Sequence, residues 1–291
     1  MGIRTGLLVI AFVLLPASGE SADAGEWQGR IVTTTLPAPS MGETARSVRV
    51  YLPPTYDRAE AASRRYPVVY LLHGWPGGDG NWPGSGRAGE TLDSLSARGG
   101  IPEVIAVMPN GNGVGRFGRQ EWLDSWDGKA RMEEFVWRDL VDWTDRTFRT
   151  RPDSLHRALI GLSEGATGAL NIGLKHPGVF NACGGLSGQY VLTEDWGMNA
   201  VWSEGATAER VREANSPGLY LGRVARTARQ QVIYLDCGIH DESLDDNRAF
   251  HRRLEEFGVP HVFNEFTGTH GWGYWKIHLR DALIACTARM K

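Results

Sequence analysis

Seven short apolar runs, SVRVYLP, PVVYLLHG, EVIAVMPNG, RALIGLS, NACGGLSG, QVIYLDCG and HVFNEFTG, recur along the chain and constrain its fold more than any other feature. They alternate with helical patterns such as MEEFVWRDLVDWTDRTF and DNRAFHRRLEEFG. Strands that alternate with helices need crossover connections, and crossovers build a mostly parallel sheet with helices on both faces. The expected class is therefore α/β. A chain of 291 residues, 42% of them hydrophobic, has the apolar content for one domain with a substantial core. No internal repeat or low-complexity segment interrupts it. The stretch from Tyr190 to Gln230, rich in Trp, Gly, Glu and Arg, breaks the rhythm and reads equally as an insertion over a site or as a long crossover.

The first residues are of another kind. Arg4 precedes the apolar run GLLVIAFVLLP, and ASGESADA follows it with an A-x-A ending at Ala24. A basic start, a short apolar core and small residues before a cut describe a secretory signal peptide over residues 1–24, with the folded unit over 25–291 and a secreted or periplasmic location. About 10 apolar residues fall short of the ~20 that a spanning helix needs, so no membrane association is expected once the signal is cut. A net charge of −3 gives no reason to expect nucleic acid as a partner. The three cysteines, Cys183, Cys237 and Cys286, sit in apolar runs or a helical pattern. They read as buried thiols, with one disulfide still open, and none has metal-ligand spacing.

The run RALIGL leads into the helical pattern GATGALNIGLKHP through Gly161, Ser163 and Gly165. A strand-to-helix turn of the form G-x-S-x-G lifts its serine into the open, and the glycines are needed because the turn is sharp. With 37 glycines, such a pentapeptide arises by chance on the order of a few tenths of a time, so context must carry it. A nucleophilic serine needs a base and an orienting acid, which in this fold follow in the chain order Ser, Asp or Glu, His, each after a strand. QVIYLDCG opens into GIHDES and HVFNEFTG into GTHGWGYW, which puts Asp241 and His270 in those loops. His261 lies at the wrong end of its strand, His278 in a helical pattern, and His240 before the acid. Asp236, Glu242 and Asp245 stand near Asp241, but Asp236 falls inside the strand, where its side chain faces the sheet and not the loop.

Oxyanion donors are expected from main-chain amides, one from Glu164 after the nucleophile and one from the loop YLLHGWPGGDGNW. There Gly74 and Gly77 permit close approach and Trp75 offers its N–H, while His73 ties the loop together. Trp75, Trp82, Trp122, Trp126, Trp272 and Trp275 flank the expected site or lie in loops, with Trp82, Trp126 and Trp272 the ones expected to touch substrate. They are candidate walls for a sugar or phenolic acid, the other reading being that such tryptophans pack the core.

YLLHGWPGGDGNW, GLSEGATGALNIGLKHPGVF, LSG, LDCGIHDE and GTHGWGYW together resemble the esterase D family of α/β-hydrolases, from about Ser47 to the C-terminus. That family includes feruloyl and acetyl-xylan esterases, S-formylglutathione hydrolases, siderophore esterases and mycolyltransferases. The resemblance implies the α/β-hydrolase fold and a Ser163, Asp241, His270 triad with the Trp75 and Glu164 amides as oxyanion hole. It implies a serine carboxylic-ester hydrolase that works through an acyl-enzyme without metal or organic cofactor. Export favours an ester met outside the cytoplasm, such as a feruloyl or acetyl ester of a polysaccharide or a small molecule, over a cytosolic formylglutathione. An acyltransferase of the mycolyltransferase type would use the same triad, and a non-catalytic binding protein the same fold. Oligomeric state is not legible. Where members usually carry a methionine after the serine and glycines beyond it, this chain has Glu164, Gly165 and Ala166.

Overall fold

The computed structural model describes residues 27–192 and 198–290; the expected signal segment, 1–24, lies outside them. Eight strands form one sheet: β1 (Arg30–Ala38), β2 (Glu43–Leu52), β3 (Val68–Leu72), β4 (Ile105–Pro109), β5 (Arg157–Leu162), β6 (Ala182–Leu186), β7 (Val232–Gly238) and β8 (Val262–Phe266). Their order is β1-β2-β4-β3-β5-β6-β7-β8, antiparallel across β1, β2 and β4 and parallel from β4 onward. Each of the seven expected runs is a strand, and β1 is an addition. RIVTTTLPA carries its apolar residues sparsely because it is an edge strand with much of its surface exposed.

The central strands are apolar without interruption because both faces are covered. On β3, Val68, Tyr70 and Leu72 enter one core cluster, while Val69 and Leu71 enter the other. The period of two thus feeds two helical layers. Ahead of the elbow stand α1 (Ala88–Ala97), α2 (Met132–Glu134), a π-helical turn (Phe135–Leu140) and α3 (Val141–Thr147). After it come α4 (Glu164–Lys175), α5 (Asn199–Trp202), α6 (Gly205–Asn215), α7 (Pro217–Ala228), α8 (Leu244–Glu256) and α9 (Trp272–Thr287). The first cluster holds residues of α4, α7, α8 and the π turn, and the second holds residues of α1 and α9. The irregular stretch after β6 is a crossover containing α5, α6 and α7. Cys183, Cys237 and Cys286 are buried free thiols.

One feature had no periodic signal in the sequence: the long connection 110–131 between β4 and α2. Trp122 anchors it. Its indole is buried, donates Nε1–H to the His73 carbonyl at 3.0 Å, and meets the His73 ring edge-on. Room for the side chain exists only because its neighbours lack side chains: a Cβ on Gly111 would lie 2.3 Å from the indole, and one on Gly168 of α4 would lie 2.5 Å from the Trp122 Cβ. Gln120 stiffens the loop from within, accepting the Val114 N–H at 2.9 Å and donating to the Leu123 carbonyl at 2.8 Å. Leu123 packs with Met198, Val201 and Trp202 of the crossover.

This packing makes a stability prediction. Gly168→Ala forces Trp122 outward and should lower unfolding stability by about 1–3 kcal/mol, the usual cost of overpacking a tight core. Gly178→Ala, where an added Cβ meets nothing within 4 Å, should leave the urea midpoint nearly unchanged. Equal midpoints for the two variants would refute the anchoring role.

Candidate active site

The turn from β5 into α4 is compressed backbone against backbone. A Cβ on Gly161 would stand 2.0 Å from the Gly165 carbonyl oxygen, and one on Gly165 would stand 2.4 Å from that of Leu72. No side chain fits either place. Ser163, between them, takes φ 52°, ψ −125°, a conformation that L-residues rarely adopt and that costs on the order of 1–3 kcal/mol. Its N–H is held by the Leu186 carbonyl of β6 at 2.9 Å, so the strain is fixed by the sheet.

Ser163 Oγ lies 2.8 Å from His270 Nε2. His270 Nδ1 lies 2.9 and 3.0 Å from the two carboxylate oxygens of Asp241. An ionised carboxylate only accepts, so Nδ1 carries the proton and Nε2 is free to accept from the serine hydroxyl. Burial works to raise the Asp241 carboxyl. The hydrogen bond from His270 and those from the Ser243 N–H (2.8 Å) and hydroxyl (2.7 Å) outweigh it, leaving the group below its ordinary value. Trp275 meets the His270 ring edge-on at 4.9 Å and donates to Ser187 Oγ at 3.1 Å, packing the imidazole from the side. Asp241, Glu242 and His270 offer three possible metal-ligand atoms within 4.8 Å, but both imidazole nitrogens are already engaged with Asp241 and Ser163.

Asp236 is placed differently. It is buried in β7, accepts the Tyr274 hydroxyl at 2.9 Å, and its second oxygen has no partner. Burial, with the charges of Asp281 and Asp241, pushes its carboxyl up to about 8. It is a neutral acid in the sheet, away from the imidazole.

The loop after β3 comes close to the serine for a simple reason: a Cβ on Gly74 would lie 2.9 Å from the Ser163 Cβ. His73 ties the loop, donating Nδ1–H to the Gly74 carbonyl and accepting the Gly111 N–H at Nε2, both at 2.8 Å, and burial lowers its basicity. The backbone N–H groups of Trp75 and of Glu164, the first residue of α4, have no acceptor among the described residues.

A cavity of about 270 Å³ opens over these groups, lined by Trp75, Arg119, Glu121, Ser163, Glu164, Ser187, Gln189, Glu242, Ser243 and His270. Arg119 and Glu121 arrive on the Trp122-anchored loop, where Glu121 and Trp122 both hold φ 55°. That segment has no strand or helix period to flag it, so sequence reasoning missed both residues, as it missed Ser187, Gln189 and Ser243.

The three tryptophans expected to touch substrate stand elsewhere. Trp82 is buried, its N–H spent on the Leu72 carbonyl at 3.0 Å. Trp272 packs edge-on between Trp82 and Trp275. Trp126 is exposed on the 110–131 loop, its amide bonded to the Val201 carbonyl, and does not line the cavity. Such residues are large and apolar enough to serve the core or the loop framework, and sequence position could not separate those uses from binding.

Among the described residues no helix is long and apolar enough to cross a membrane. The family model named Esterase ("Putative esterase") matches residues 38–286. An "Endo-1,4-beta-xylanase/feruloyl esterase" of Xylanibacter ruminicola is 33% identical over 175 residues, 57% of this chain and 23% of that protein. The esterase Rv1288 of Mycobacterium tuberculosis is 28% identical over 252 residues, 77% of this chain and 52% of that protein. The chain thus spans about a quarter and about half of the lengths of these two relatives. A solved ferulic acid esterase superposes with a TM-score of 0.81 at 29% identity, covering 91% of this chain and all of that one. Sheet order, elbow and similarity agree, and the chain belongs to the Esterase family with the α/β-hydrolase fold.

Proposed function

We propose that the protein is a serine carboxylic-ester hydrolase whose catalytic unit is residues 25–291 and whose residues 1–24 direct its export. The observation that carries the reading is the continuous relay from Ser163 Oγ through His270 to Asp241 at 2.8 and 2.9 Å, set on a strained elbow. His270 Nε2 takes the serine proton as Oγ attacks the ester carbonyl. The unpaired Trp75 and Glu164 amides receive the oxyanion, and the imidazolium returns its proton to the leaving alcohol. Water then repeats the sequence on the acyl-enzyme. Asp241 holds the tautomer and stabilises the imidazolium without taking the proton.

Feruloyl or acetyl esters of polysaccharides are the proposed substrates, supported by the names of the relatives. Nine of the ten cavity residues are polar or charged, Trp75 being the exception. An apolar acyl chain would find little surface to bury there, which favours a short or hydroxylated group.

The mature protein should hydrolyse short p-nitrophenyl esters, and Ser163→Ala should lower kcat by several orders of magnitude with the circular dichroism spectrum unchanged. Full turnover in that variant would end the serine-esterase reading.

The two aspartates should separate cleanly. Asp241→Asn should reduce kcat by about 10⁴, as a wrong tautomer does, whereas Asp236→Asn should keep most activity and change stability. Asp236 holds its proton in the fold up to about pH 8, but the unfolded chain releases it near the ordinary carboxyl value of about 4. The native state therefore binds the extra proton between these limits, and that contribution to stability declines as pH rises through the window. Denaturation measured across it should show a shallower decline in Asp236→Asn; a slope identical to wild type would disprove the buried neutral acid.

A further inference from the structure

The residue after the proposed nucleophile is a buried glutamate, and the triad does not use its side chain. Glu164 lines the Ser163 cavity and accepts the Glu121 N–H at Oε1, but has no ion pair of its own among the described residues. Its neighbour Glu121, also buried and also lining the cavity, is ion-paired to Arg119. Three ionisable side chains therefore share one wall, with a single positive charge among them. Arg119 is ion-paired to Glu121, and its charge offsets only part of what burial and Glu121 do to Glu164.

Burial raises both carboxyls. At Glu121 the Arg119 charge offsets part of that effect; at Glu164 the negative charge of Glu121 adds to it, and the carboxyl is pushed up to about 8. Of the two, Glu164 holds a proton the more readily, because Arg119 is bonded to Glu121. Other titratable groups facing this wall do not duplicate the behaviour. His73, under the β3 loop, has both ring nitrogens committed to backbone and is neutral. Glu242, on the loop before α8, is exposed at the rim, and Asp241 and His270 are bonded to one another.

Resting on the esterase reading above, we propose that Glu164 is the specificity-determining residue of the cavity and acts as a charge filter. With its proton on, the wall of Arg119, Glu121 and Glu164 is neutral overall and the cavity takes uncharged esters. With its proton off, the wall carries one net negative charge and the cavity selects esters that bear a fixed positive charge near the carbonyl. Anionic esters are disfavoured in the second state. The class of ligand this assigns is a quaternary or otherwise permanently cationic ester, admitted on the alkaline side of the Glu164 titration.

The test compares kcat/KM for matched esters, so that any effect of pH common to both cancels in the ratio. One pair probes the alcohol side: acetylcholine and its isostere with tert-butyl in place of trimethylammonium. A second probes the acyl side: the methyl esters of trimethylammonio-butanoate and of its tert-butyl isostere. From about pH 6.5 to about pH 9.5 the cationic-to-neutral ratio should rise on the order of fivefold in at least one pair, the effect of one added charge across a solvated cavity. In Glu164→Gln, whatever its basal rate, the ratio should be flat. In Glu121→Gln, where Glu164 loses its negative neighbour, the rise should move to lower pH; this second variant tests the idea if the first fails to fold. A flat ratio in wild type, or a rise that survives in Glu164→Gln, would overturn the filter. No hydrolysis of any of the four esters or of p-nitrophenyl acetate would overturn the esterase reading instead.

Discussion

The site depends on a contact in which no side chain takes part. The first turn of α4 lies against the carboxyl ends of β3 and β5 so closely that Gly161, Gly165 and Gly74 are each required by the space they leave empty. That closeness twists Ser163 into its unfavourable backbone conformation. The strain is affordable because the strands it sits between are central, fully covered and hydrogen-bonded on both edges. A tight elbow on an edge strand would relax; on β5 it cannot.

From that fixed point the rest of the arrangement is a problem of reach. The sheet runs β5, β6, β7, β8, so Asp241 follows a strand two places away from the serine and His270 follows one three places away. Parallel strands deliver all their carboxyl ends to one edge, which is why residues distant in sequence meet there. The gap is bridged over the end of β6. Ser187, at φ 56°, gives its N–H to the Asp236 carbonyl and accepts the Trp275 indole, and Trp275 is packed on His270. A polar residue at the end of an intervening strand thus braces an imidazole that comes from α9's side of the sheet.

The parts legible in the sequence are those that follow a strand directly. Ser163, Asp241 and His270 each stand within four residues of a strand end, so a correct reading of QVIYLDCG or HVFNEFTG places the residue as well as the strand. Asp236 could be set aside for the same reason, its position inside β7. What escaped is carried by the 110–131 connection. Arg119 and Glu121 are positioned by two non-glycine residues at positive φ and by a tryptophan wedged over Gly111 and Gly168. None of these has a periodic or compositional signature, because a loop held by one buried anchor needs no pattern elsewhere. The tryptophans failed in the opposite direction: Trp82 has the right loop and the wrong side of it, facing the Leu72 carbonyl and not the cavity. β1 was missed because an edge strand need bury only part of itself, and its threonines meet solvent.

Three of the buried carboxyls around this site show that depth alone does not decide their charge. Asp241 is inaccessible, yet it is held ionised because an imidazole N–H, a backbone N–H and a hydroxyl all point at it. Asp236, two residues before the end of β7, has the Tyr274 hydroxyl on one oxygen and nothing on the other, so it keeps its proton. Glu164 lies between these cases, with backbone donors at Glu121 and Gln120 and a like charge beside it. The donors each loop supplies, together with the sign of the neighbouring charge, therefore set whether each carboxyl keeps its proton. For Asp241 the loop after β7 supplies two donors, the Ser243 N–H and hydroxyl, and His270, from the loop after β8, supplies the third. At the glutamate beside the serine, burial and the neighbouring charge of Glu121 outweigh its backbone donors, and the carboxyl is pushed up to about 8.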